Sequence, residues 1–112
     1  MTDCLFCKMV SGEITPHIVF EDDNILAFRD INPQAPIHIL IIPKTHIATL
    51  NDLDSTLLAG QLLQTAVQLA KIEGISEEGY RTVFNCNKKG GQEVYHVHLH
   101  LLGGRQMIWP PG

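Results

Sequence analysis

Cysteine is scarce and odd in number: Cys4, Cys7 and Cys86 are the three in 112 residues. That excludes a disulfide-framed scaffold, which needs a dense and even set. Positive charge is in deficit, with 8 Lys and Arg against 12 Asp and Glu, a formal net charge of -4. A generic DNA- or RNA-binding face needs a basic field, so nucleic acid is not an expected partner. No long apolar run occurs. The longest mostly apolar stretch, Ala35 to Pro43, is too short to span a bilayer and contains His38. The start, Met1-Thr2-Asp3-Cys4, lacks the basic residues and apolar core of a secretory signal. No repeat, linker or low-complexity tract interrupts the chain. The expectation is a soluble cytoplasmic protein without a membrane partner.

What is there is ordinary for a globular chain: 45% hydrophobic and 18% charged residues. The length predicts a single domain over 1–112, able to bury about two thirds of its unfolded surface. Cys4 to Val10 reads as a short helix closed by Ser11-Gly12. His17 to Glu21 and Ile25 to Asp30 read as strands around the turn cluster Asp22-Asp23-Asn24. The prolines of Asn32-Pro33-Gln34-Ala35-Pro36 keep that segment extended or turning. His38 to Ile42 is rich in β-branched residues and predicts a central buried strand.

Leu53 to Glu73 carries the long helical pattern, with Leu58, Leu62, Leu63, Ala66, Leu69 and Ala70 on one stripe. Asp54 or Ser55 is the candidate start cap and Gly74 the end. Gly60 inside the helix costs roughly 1 kcal/mol relative to alanine and suggests a close approach. Tyr80 to Asn85 predicts a strand, Cys86 to Gly91 a loop, and Val94 to Leu102 a final strand. The Gly103 to Gly112 tail has no regular pattern. Strands on both sides of one long helix predict an α+β fold with an antiparallel sheet.

The most informative run is His96-Val97-His98-Leu99-His100, which holds three of the six histidines. On a strand they share one face, while Val97, Leu99 and Leu101 take the other. The apolar face packs on the core, so the histidine face is expected to meet solvent or a ligand. Two chemistries fit: metal binding and nucleophilic or acid-base catalysis. The outer two histidines start about 13 Å apart, too far for all three to hold one ion comfortably. Imidazole has a reference pKa of about 6.5, so a neutral nucleophile and a proton donor can coexist near neutral pH. Gly90-Gly91 just upstream offers backbone N–H groups to phosphate oxygens. A mononucleotide fits the acidic chain because it needs only a local pocket. His17, alone, reads as structural.

His96-Val97-His98-Leu99-His100-Leu101-Leu102 resembles the alternating signature of the histidine triad (HIT) family. Asp30 to Pro36, His38, Ile42-Pro43-Lys44, Gly90-Gly91-Gln92 and the Trp109-Pro110-Pro111-Gly112 tail resemble its Hint branch. The resemblance runs from about Cys4 to the C-terminus. It implies an antiparallel sheet of about five strands with one long and one short helix, the sheet extended across a homodimer. It also implies a purine nucleoside phosphoramidase acting on AMP or GMP conjugates. His98 matches the nucleophile that forms a nucleotidyl-histidine intermediate, His100 the histidine at the phosphate, and His38 the histidine that completes the relay. Asp30 matches the ribose-binding acid and Ile31 lies beside the base. Asn85, Gly91, Gln92 and Glu93 match the phosphate-side loop. Glu93 and Ile108 depart from the serine and histidine of many animal members.

Cys4 and Cys7 at helical spacing put two thiols on one face. Some HIT proteins with such a pair bind structural zinc, which implies Cys4, Cys7, His46 and His96 as ligands here and leaves His98 and His100 for chemistry. No metal is implied for catalysis itself. Two other activities compete: a dimeric nucleotide-binding adaptor with incidental turnover, and a dinucleoside polyphosphate hydrolase. A zinc hydrolase using the triad directly is a more distant reading.

Overall fold

The computed structural model describes residues 3–112. Among the described residues, five strands form one antiparallel sheet in the order β1-β2-β3-β5-β4. They are β1 (Ile18–Glu21), β2 (Ile25–Arg29), β3 (Ile37–Pro43), β4 (Tyr80–Phe84) and β5 (Leu99–Gly103). Two α-helices accompany them, the short α1 (Leu5–Ser11) and the long α2 (Thr56–Ile72). The expected α+β architecture is what the chain adopts. No helix among the described residues is long and apolar enough to cross a membrane.

Local chemistry sets the element boundaries. Cys4 caps α1 by accepting the Cys7 N–H on its sulfur, and Gly12 ends it in a left-handed conformation. Asp22 accepts the N–H groups of Asn24 and Ile25 and turns β1 into β2. Ser55, not Asp54, caps α2 through the Leu58 N–H, and left-handed Gly74 follows its end. The helix is shorter than the expected Leu53–Glu73, because Thr49 caps a separate 3₁₀ turn, Leu50–Asp52. Gly60 permits no close approach, since an added Cβ there meets nothing within 4 Å.

β3 is buried on both faces, which is why its sequence is a continuous apolar run rather than an alternating one. Ile39 and Ile41 face α2 with Ile25, Ala27, Leu99 and Leu101, packed on Leu62, Ala66, Leu69 and Ala70. Leu40 and Ile42 face the other way with Leu26, Phe28 and Phe6 of α1. The second face carries the candidate site. Leu40 pairs with His100 and His38 with Leu102 across β3 and β5, so the two histidines are diagonal neighbours on that face.

The last strand is shorter than expected. It begins at Leu99, and residues 94–98 leave the sheet, where Val97 N–H donates to Ile47 O at 2.6 Å. The simple picture of three histidines on one exposed strand face is therefore corrected. His96 is 0% exposed and His98 8%, and neither belongs to the ladder. β5 ends where Gly104 turns left-handed (φ +90°) and where a Cβ would press on Pro36 at 2.9 Å.

Candidate active site and metal centre

The run divides into two sites. His96 turns away from the cavity toward α1, where its Nδ1 lies 3.4 Å from Cys4 Sγ, 3.5 Å from Cys7 Sγ and 3.3 Å from His46 Nδ1. Cys7 Sγ is 3.2 Å from His46 Nδ1. All four ligand atoms lie within 4.8 Å of one another. The tautomer fits a cation. His96 Nε2 donates to Pro43 O at 2.8 Å, which places the proton there and aims the Nδ1 lone pair into the cluster. Two sulfurs and two imidazoles are the donor set of a closed structural zinc site. Burial first, then Cys4, raises the Cys7 thiol, so a cation that binds must displace a proton.

His98 and His100 remain on the cavity side. His98 Nδ1 is 2.7 Å from His96 O, and a carbonyl only accepts, so Nδ1 carries the proton. The lone pair of neutral His98 is then on Nε2. A second backbone group wires His100. Gln34 N–H donates to His38 Nδ1 at 3.0 Å, which leaves the His38 proton on Nε2. That proton bridges to His100 Nδ1 at 2.9 Å, with Asp30 Oδ2 farther away at 3.5 Å. Neutral His100 therefore keeps its own proton on Nε2. The rings of His98 and His100 are 5.0 Å apart and both line the cavity, one with a lone pair on Nε2 and the other with an N–H there.

Asp30, His38 and His100 also cluster closely enough to hold a cation. Their wiring opposes one, because freeing His38 Nε2 would put a proton on Nδ1 against the Gln34 N–H. This group is a hydrogen-bonded relay. Burial is the first cause of the lowered pKa of His38, His96 and His98. His100 is pushed down to about 4, by burial and then by His98 and His38. The imidazoles of the relay are neutral near pH 7.

A cavity of about 650 Å³ opens over this face of the sheet. Asp30, Ile31, His38, Asn85, Gly91, Glu93, His98 and His100 line it. Ile31 stands at the open mouth, 97% exposed. Asp30 Oδ1 accepts the Asn32 N–H, which fixes the carboxylate. Gln92 does not line the cavity. Its buried side chain donates to Ala48 O and Val94 O and accepts the Asn87 N–H, and its own N–H goes to Asn87 O. Through these bonds Gln92 braces the loop.

Sequence reasoning missed one wall. Leu5, Phe6 and Met9 of α1, with Ile14, Thr15 and Pro16, also line the cavity. The Phe6 ring meets His98 edge-on at 5.1 Å, His96 at 5.9 Å and Phe28 at 5.4 Å. Phe6, Met9 and Val10 recur at three- and four-residue spacing, which marks one face of α1 as inward, but nothing local places that face against the histidines.

The depressed pKa values carry a sign. Unfolded histidine takes up a proton near pH 6.5, whereas folded His100 resists until about 4. Between those values the unfolded chain binds more protons, so stability falls as pH falls through this window and is level above it. Urea unfolding is expected to give a lower midpoint at pH 5 than at pH 7.5, and His100→Gln to flatten that difference. An unchanged pH dependence in the variant would contradict it.

The HIT domain family matches residues 11–107. The crystal structure of a HIT family hydrolase from Legionella pneumophila superposes with a TM-score of 0.96 at 65% identity, covering 98% of this chain and 100% of that one. The purine nucleoside phosphoramidase of Escherichia coli K12 is 50% identical over 107 residues, 94% of this chain and 90% of its own. A 14 kDa zinc-binding protein of Zea mays is 53% identical over 113 residues, 96% of this chain and 87% of its own. With the histidine face, the cavity and the cysteine–histidine centre in place, the chain belongs to the histidine triad (HIT) domain family, within its Hint branch.

Proposed function

We propose that this HIT hydrolase cleaves the P–N bond of purine nucleoside phosphoramidates. The single observation that carries the reading is the His98 Nδ1–H bond to His96 O, which presents an unprotonated Nε2 beside the His100 N–H. His98 Nε2 attacks phosphorus as the P–N bond to the amine breaks, giving a nucleotidyl-histidine. The departing amine gains its proton through the His100 Nε2–H, replaced by the proton that water releases in the second step, and general-acid help of that kind is worth about 10²–10⁴-fold. Water then displaces His98 from phosphorus, and a nucleoside monophosphate leaves. Covalent catalysis divides one difficult displacement into two easier ones. His100 and His38 hold the phosphate side and its proton in place. Asp30 accepts ribose hydroxyls, which a cationic side chain cannot do. Ile31 and the α1 wall lie beside the base. Asn85, Gly91 and Glu93 border the phosphate, with Glu93 contributing through its backbone. The similarity to the E. coli phosphoramidase supports this substrate class.

The centre of Cys4, Cys7, His46 and His96 takes a structural zinc in this reading, supported by its donor set and by the maize relative's name. When bound, the cation supplies a cross-link between α1 and the 43–47 and 96 segments and takes no part in the phosphorus chemistry. The working form is a homodimer. Leu57, Leu63, Val67 and Ile72 expose apolar surface on the outer side of α2, and β4 ends the sheet with an open edge.

Three outcomes are expected. On a fluorogenic adenosine phosphoramidate, His98→Ala loses at least about 10³-fold in kcat while His17→Ala retains wild-type turnover, in line with removal of a covalent nucleophile. Comparable turnover in His98→Ala overturns the mechanism. Elemental analysis of untagged protein gives zinc in one-to-one ratio with chain, and Cys4→Ser with Cys7→Ser abolishes it; metal-free wild type after growth with added zinc would count against the site. Sedimentation at micromolar concentration gives twice the 12.5 kDa chain mass, and a monomer there contradicts the assembly.

A further inference from the structure

α1 is seven residues long, well below the length at which a helix is stable in isolation. Phe6 is its one fully buried side chain. Met9 and Val10 pack partly buried beside it, and the two half-buried thiols reach the buried His96 at 3.4 and 3.5 Å, with His46 at 3.2 Å from Cys7. Without a cation these are thiol–imidazole hydrogen bonds, weaker than bonds between oxygen and nitrogen partners. The helix nevertheless supplies Leu5, Phe6 and Met9 to the cavity wall.

The same centre touches the chemistry by a second route. His96 offers its ring to the cysteines and its carbonyl to His98 Nδ1 at 2.7 Å. Phe6 lies against both rings, 5.9 Å from His96 and 5.1 Å from His98. The ligand cluster and the nucleophile therefore share one residue and one aromatic neighbour. α1 and the His96 segment both join the cluster to the cavity.

We infer that the Cys4–Cys7–His46–His96 centre is a positioning device for the cavity: a bound cation fixes α1, and with it Phe6, against His98 and the nucleoside wall, so that metal loading and nucleotide binding are energetically coupled. Phe6 is the positioning residue that transmits the coupling. The inference rests on the cavity being a nucleotide site. Because coupling between two sites is reciprocal, AMP must tighten zinc by the same factor by which zinc tightens AMP.

The test uses the full chain, zinc-loaded and chelator-stripped, with AMP as the probe. Calorimetry is expected to give an AMP Kd on the order of tenfold weaker in the stripped protein, within the usual range of coupled sites. Zinc affinity, measured by competition with a chromophoric chelator, rises by the same factor when AMP saturates the protein. Amides of residues 5–11 exchange faster after stripping, while those of β3 and β5 keep their protection. Phe6→Leu leaves every metal ligand in place and is expected to retain one zinc per chain while losing most of the reciprocal effect. This variant serves as the test in loaded protein if stripping unfolds the chain. Equal AMP affinity with and without zinc overturns the inference, as does full coupling in Phe6→Leu. Failure of the loaded wild type to bind AMP overturns instead the nucleotide reading on which it rests.

Discussion

β3 and β5 run antiparallel with Leu40 opposite His100, and the candidate chemistry depends on that register. It puts His38 and His100 on one face as diagonal neighbours and sends Ile39, Ile41, Leu99 and Leu101 to the other, against α2. A slip of one residue in β3 would exchange that strand's faces, moving His38 into hydrocarbon and Ile39 and Ile41 into the cavity. The heavily buried side under α2 fixes the register, because it tolerates no polar ring. The core under α2 thus determines the geometry of a relay on the opposite face of the sheet.

Within that frame, backbone groups choose the protonation pattern. Gln34 N–H occupies one nitrogen of His38, and the carbonyls of Pro43 and His96 hold one proton each on His96 and His98. These partners are part of the fixed chain, so the tautomers need no rearrangement when a ligand arrives. Burial keeps the rings neutral, which preserves a lone pair on His98 and on His96 alike. One ring presents its pair to the cavity and the other to two thiols. Neutrality serves nucleophile and metal ligand equally, because each requires an unprotonated nitrogen.

The departure of residues 94–98 from the sheet makes this division of labour feasible. In a regular strand, His96 would point into the same space as His98 and His100. The bond from Val97 N–H to Ile47 O draws the segment toward the 43–47 loop, and His96 reaches the cluster there. α1 completes both sites at once. Cys4 and Cys7 face the cluster, and Phe6 between them in sequence reaches the ring of His98.

By itself the sequence determined the elements whose signals are local. The β-branched run at 38–42 specified a strand buried on both faces, the leucine and alanine spacing specified α2, and Asp22 to Asn24 specified a hairpin turn. Histidines at every second position, with Cys4 and Cys7 three apart, marked both sites before any fold was known, because side-chain periodicity is a property of the local chain. Only the tertiary structure decided what each group does. The break at Leu99, the burial of His96, the inward bonds of Gln92 and the α1 wall all depend on contacts between residues far apart in sequence. Which nitrogen carries a proton is settled by the backbone group that packing brings beside it, and no alternation of residue types encodes that neighbour.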